Sequence, residues 1–113
     1  MNPRGETLLW FAQRLTAAIL AFCVLVHLAT MIYAVRGGLS AADILGRTRG
    51  SVLWGAFYTV FVLAVAVHAT IGLRAIALEW LSLKGRMADA LMAAIGVALT
   101  LMGLRAVVAV VGG

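Results

Sequence analysis

Marked only for apolar and polar positions, the chain resolves into three long apolar segments, about Leu8–Val35, Ser51–Leu81 and Ala88–Val111. A bilayer core about 30 Å thick is crossed by roughly 20 apolar helical residues. Each segment is long enough, so the pattern predicts an all-α membrane protein with three transmembrane helices in a single domain over residues 1–113. The connector RGGLSAADILGRTRG (Arg36–Gly50) breaks the apolar pattern, and LSAADIL within it suits a short interfacial helix with Ser40 as N-cap. The second connector, SLKGR (Ser82–Arg86), has room only for a tight turn, which makes spans two and three an antiparallel hairpin. Pro3 is the only proline, so none of the spans is expected to be proline-kinked.

Composition sharpens this. The 113 residues are 65% hydrophobic and only 12% charged, where a soluble domain averages about a quarter charged. The nine Lys and Arg residues, giving a net charge of +5, are scattered at span ends rather than clustered. That is the distribution of interface anchors and argues against nucleic acid as a partner. Arg4, Arg14, Arg74, Lys84 and Arg86 fall on one side, and Arg36, Arg47, Arg49 and Arg105 toward the other. Five against four favours a cytoplasmic N-terminus. Cys23 stands alone in span one, so it makes no internal disulfide and reads as a small packing residue. The first apolar run is too long for a signal-peptide core, and a bacterial inner membrane is the simplest location.

Candidate chemistry sits in span two, in HATIGLRAIALEWL (His68–Leu81). His68, Gly72, Ala75 and Glu79 follow at spacings of four, three and four, which places them on one helical stripe. A histidine within a membrane span is expensive to leave unpaired, and neutral imidazole is an axial ligand for haem iron. Gly72, one turn on, has no side chain and would leave room for a flat macrocycle. Arg74 lies about 9 Å past His68 along the axis, within reach of a haem propionate. The same spacing also suits a histidine that simply hydrogen-bonds between helices, beside a separately anchored arginine. His27, in FCVLVHLAT, is well inside span one. It lies roughly 28 Å from Leu8, whereas His68 lies roughly 20 Å from Leu81. Two axial ligands of one iron share a depth, so the two histidines would serve different haems, or only one would serve. No further histidine is present, and a second axial ligand would have to come from another anchor subunit, a homologue or a second copy.

The order His68, Gly72, Leu73, Arg74, Glu79, Trp80 resembles the second span of the membrane-anchor cytochrome b subunits of succinate dehydrogenases and fumarate reductases. AQRLTAAIL (Ala12–Leu20) is similar to the start of that family's first span, an arginine followed two residues later by Ser or Thr and then a small residue. The resemblance implies half of a haem-containing helix bundle, completed by a partner anchor subunit. It implies His68 as axial ligand of haem b, with His27 as ligand of a second haem in two-haem members. Arg14 and Arg74 match propionate-binding arginines, with Gly72 packing against the haem. Arg14, Thr16, Glu79 and Trp80 match the quinone-binding region. Trp80 stands where the family commonly has tyrosine, and an indole N–H donates a hydrogen bond but relays no proton.

The expected function is electron transfer between an iron–sulfur subunit and membrane quinone, with dicarboxylate chemistry on a flavoprotein subunit and none on this chain. Two other classes of function suit a chain of this length. A haem-free structural or assembly anchor would use the histidines for packing alone. A small proton-coupled transporter needs an acid deep in the membrane, whereas Glu6, Asp43, Glu79 and Asp89 lie at span ends or in a connector.

Overall fold

A computed structural model describes residues 2–83 and 85–112. Lys84, one of the basic residues counted toward orientation, lies outside them. Among the described residues the helices follow in the order α1 (Pro3–Arg36), α2 (Ala41–Thr48), α3 (Val52–Trp80) and α4 (Gly85–Val111). The three long ones are each apolar and long enough to cross a membrane.

α1 begins five residues before the apolar run does. Asn2 supplies the N-cap, its Oδ1 accepting from the Gly5 N–H at 2.8 Å, and Pro3 occupies the first turn, where its missing N–H costs nothing. This polar cap starts the helix before its hydrophobic part. α2 starts at Ser40 with a reciprocal capping box: the Ser40 hydroxyl accepts from the Asp43 N–H, and the Asp43 carboxylate accepts from the Ser40 N–H. The end of this segment turns back onto α4. The Thr48 hydroxyl donates to the Val110 carbonyl at 2.7 Å, and the Gly50 N–H donates to the Val111 carbonyl at 2.9 Å. Two carbonyls at the end of α4 that have no partner within their helix are thereby satisfied.

α3 is the central helix, packed against both α1 and α4. Both pairs are antiparallel. Along α1 and α3, Gln13 meets Gly72, Thr16 meets His68 and His27 meets Tyr58. Along α3 and α4, Gly55 meets Val111, Val62 meets Gly103 and Thr70 meets Gly96. The α3–α4 approach is close. A Cβ at Gly96 would come within 2.9 Å of the Thr70 hydroxyl, and one at Gly103 would clash with the Val62 side chain.

The bundle measures 49 × 24 × 23 Å, and its long side is of the order of a bilayer with its headgroups, about 40–45 Å. The buried apolar residues are few and mostly small: Cys23, Ala64, Ala66, Ala77, Ala88, Met92 and Val107. Large side chains such as Phe11, Phe22, Leu25, Leu101 and Met102 are exposed. Such a surface suits lipid and partner helices, not water.

Candidate functional site

The α1–α3 seam holds both histidines, in two separate layers. In the first, His68 Nδ1 lies 3.3 Å from the Thr16 hydroxyl oxygen. That hydroxyl donates its only proton back into its own helix, to the Ala12 carbonyl at 2.7 Å, with the Gln13 carbonyl at 3.1 Å. Thr16 therefore meets the imidazole as an acceptor, and His68 donates from Nδ1. The lone pair is left on Nε2. Thr16 is 8% exposed and His68 half-buried, so the pair is sheltered by the seam.

The second layer is ten residues along α3 and eleven along α1, about 15 Å away at 1.5 Å per residue. There the Tyr58 hydroxyl lies 3.4 Å from His27 Nδ1. The phenol makes no other hydrogen bond among the described residues, so it is free either to donate to His27 Nδ1 or to accept from it. Tyr58 and Phe61 both stand edge-on to the His27 ring, with centroids 5.8 Å away. Tyr58 also stacks on Trp54. The offset between the histidines exceeds the sequence-based one because α1 starts at Pro3, which carries His27 further from the first end.

The predicted residues beyond the histidines scatter around the first layer. Arg74 Nε donates to Asp89 Oδ1 at 2.9 Å, an ion pair joining α3 to α4. This engages one of its five N–H groups. The Arg14 guanidinium lies over the Trp10 ring, 5.0 Å from the centroid, and is exposed. Glu79 and Trp80 are exposed at the end of α3, Trp80 at 79%. Gly72 does leave space, and the Gln13 side chain lies against it: a Cβ on Gly72 would stand 3.4 Å from Gln13 Nε2.

Gln13 is the residue that sequence reasoning missed. Its Oε1 is buried without a hydrogen-bond partner among the described residues. It lines a cleft of about 420 Å³ between α1 and α3, together with Glu6, Trp10, Arg74 and apolar side chains. The available signal was a glutamine inside an apolar run, next to Arg14 and one turn before the seam's most buried hydroxyl. No set of three or more His, Cys, Asp or Glu side chains that could hold a bare metal ion occurs among the described residues. Each layer offers one imidazole, so iron here would need a macrocycle and a ligand from a second chain.

Three long apolar helices in antiparallel register, carrying polar side chains along an internal seam, define a multi-pass helical membrane protein. The family model for the succinate dehydrogenase/fumarate reductase transmembrane subunit matches residues 1–108, and the chain belongs to that family. It is thus a membrane subunit of a succinate dehydrogenase or fumarate reductase complex. No curated protein and no solved structure gives a significant match.

Proposed function

We propose that the chain is the haem b-binding anchor of a succinate:quinone oxidoreductase. It holds the iron–sulfur and flavoprotein subunits at the membrane and conducts electrons between the iron–sulfur subunit and membrane quinone. The observation that carries this reading is the His68–Thr16 pair. A metal-bound histidine commonly donates its other ring N–H to an oxygen, which fixes tautomer and orientation. His68 already does so from Nδ1, and its Nε2 lone pair is available.

The residues present fit the group. His68 would supply a nitrogen ligand to the iron, Arg74 retains four N–H groups for a propionate, and the exposed Arg14 would supply a second cation. Haem b, when bound, supplies a one-electron carrier inside the membrane. Thr16 holds the imidazole's orientation by accepting from its Nδ1–H. Asp89 holds the Arg74 side chain at its level. Arg14, Glu79 and Trp80, all exposed near one end, serve a quinone site built jointly with the other subunits. A second anchor subunit, homologue or second copy, would cover part of the apolar surface and supply the iron's remaining protein ligand. The N-terminus is cytoplasmic in a bacterial inner membrane, following the five-to-four balance of basic residues. His27 would ligate a second haem through Nε2 with its Nδ1–H donating to the Tyr58 oxygen, a tautomer that the hydroxyl permits without fixing it, whereas Thr16 fixes that of His68.

Optical spectroscopy tests this. The purified complex is expected to show a reducible b-type spectrum that His68→Ala abolishes. A pyridine haemochrome count of one haem per anchor pair assigns the haem to His68 alone, whereas a count of two brings in His27. Absence of b-type absorbance from the wild-type complex, with quinone turnover intact in His68→Ala, would leave a haem-free structural anchor.

A further inference from the structure

At the far end of the bundle from the N-terminus, a second cleft opens between the last turns of α1, the short helix α2 and the first turns of α3. Its volume is about 420 Å³, in the range of small-molecule sites. Arg47 and Tyr33 line it, both exposed at the level where α1 ends and the connector begins. Met31, Leu39, Ile44 and Trp54 give it apolar walls. His27 also lines it, six residues before Tyr33 on α1, so the cleft runs about 9 Å from head-group level toward the hydrocarbon.

Arg47 is held in place without being neutralised. Its Nη1 donates to the Tyr33 hydroxyl at 3.3 Å, and its guanidinium lies over the Tyr33 ring, 5.7 Å from the centroid. Both partners are uncharged, and four of the five N–H groups stay uncommitted. Arg47 makes no ion pair among the described residues. The acid nearest in sequence, Asp43, is engaged by the Ser40 N–H as the N-terminal cap of α2. A fixed cation at the membrane surface, with an apolar cleft beneath it, complements a molecule with an anionic head and an apolar tail. A guanidinium binds phosphate oxygens through paired N–H groups, and phospholipid carries its phosphate at this depth.

We infer that this cleft is a phospholipid site, with the lipid phosphate on Arg47 and the upper part of one acyl chain against Met31, Leu39, Ile44 and Trp54. Tyr33 is the positioning residue, holding the guanidinium over the cleft. The site stands on the membrane fold and is independent of the haem reading.

The test uses the purified, detergent-solubilised complex and phosphatidylglycerol with dibrominated acyl chains, whose bromines quench tryptophan on contact. The part of the quenching that Trp54→Phe removes reports the cleft. Arg47→Gln is expected to raise the lipid concentration for half of that quenching about tenfold, the size of one hydrogen bond to a charged group. Tyr33→Phe should raise it about twofold to fivefold. Dibrominated diacylglycerol, which lacks the phosphate, should bind wild type about tenfold more weakly and Arg47→Gln no differently from wild type. Equal phosphatidylglycerol binding by wild type and Arg47→Gln would overturn the inference, as would diacylglycerol binding as tightly as phosphatidylglycerol. Displacement of the lipid by millimolar inorganic phosphate would make this a free-anion site instead. Absence of any Trp54-dependent quenching would mean that protein covers the cleft, and loss of a haem from Arg47→Gln would give the guanidinium to a propionate; either result defeats the lipid site.

Discussion

At the level of His68, α1 offers a threonine whose proton is already committed to its own helix. At the level of His27, α3 offers a tyrosine whose proton has no other acceptor among the described residues. The two imidazoles lie in the same seam, about 15 Å apart along it, and each meets a single hydroxyl. The first hydroxyl can only take a proton from its ring, and the second can give or take one. A hydroxyl is both donor and acceptor, so its role is set by what else it binds. For the histidines the consequence differs: the lone pair is held on Nε2 of His68, while His27 can keep it on either nitrogen. Membership of a membrane span therefore says little about what a histidine does; the neighbouring hydroxyl's other bond says more.

Thr16→Val breaks this comparison most severely. Valine keeps the shape but removes the acceptor, leaving the His68 Nδ1–H unpaired in the seam and the ring free to turn. Loss of such a supporting group typically costs 10–100-fold in metal affinity. The expected outcome is haem loss on dilution or gel filtration of the variant complex, with Thr16→Ser retaining it. A Thr16→Val complex that holds haem as tightly as wild type would mean that the threonine does not orient the ring.

How much of this was legible follows from what lipid does to pattern. Run length revealed the spans, and the Ser40 signal revealed α2, because apolar length and caps are properties of the chain itself. Which side of each span turns inward was not legible. A helix surrounded by hydrocarbon and partner helices is apolar nearly all round, so no amphipathic stripe points to the seam. Gln13 was overlooked beside Arg14 for that reason, since its meaning depends on facing Gly72. The Arg74–Asp89 pair, formed across the α3–α4 turn, was also outside what spacing within one helix conveys. The Asn2–Pro3 cap was readable, and it corrects the start of α1 and with it the depth of His27.

Gly103→Ala acts on the second layer and sharpens the comparison by sparing the first. Gly103 meets Val62 and lines a cavity that also contains His27 and Tyr58. A helical valine has essentially one χ1 rotamer, so it has little freedom to move aside. The added methyl must push α3 and α4 apart there. Overpacking of this kind costs about 1–3 kcal/mol. The thermal unfolding midpoint of the complex is expected to fall while the b-type spectrum assigned to His68 stays in place. An unchanged midpoint would show that the two helices approach less closely than in this structure.

The smallest effect concerns how the second layer is closed. There α2 folds over the end of α4, and its start depends on the Ser40–Asp43 capping box. The backbone N–H and hydroxyl of Ser40, with Arg47 nearby, hold the Asp43 carboxyl below its ordinary value. A carboxyl with a lowered folded-state value stabilises its fold above the unfolded value and loses that contribution as pH falls through the folded one. α2 is therefore expected to fray at its N-terminus only in acid below the ordinary aspartate range. Asp43 is fully exposed, so the change should be slight and confined to the first turn. Hydrogen exchange at the amides of Ser40 to Ile44, corrected for intrinsic rates, would register it. Asp43→Asn should show the faster exchange already at neutral pH and no further acid dependence. Equal protection of wild type and variant at neutral pH would mean that α2 is held by its contacts with α4 and not by its cap, and the second layer would then be closed from the α4 side alone.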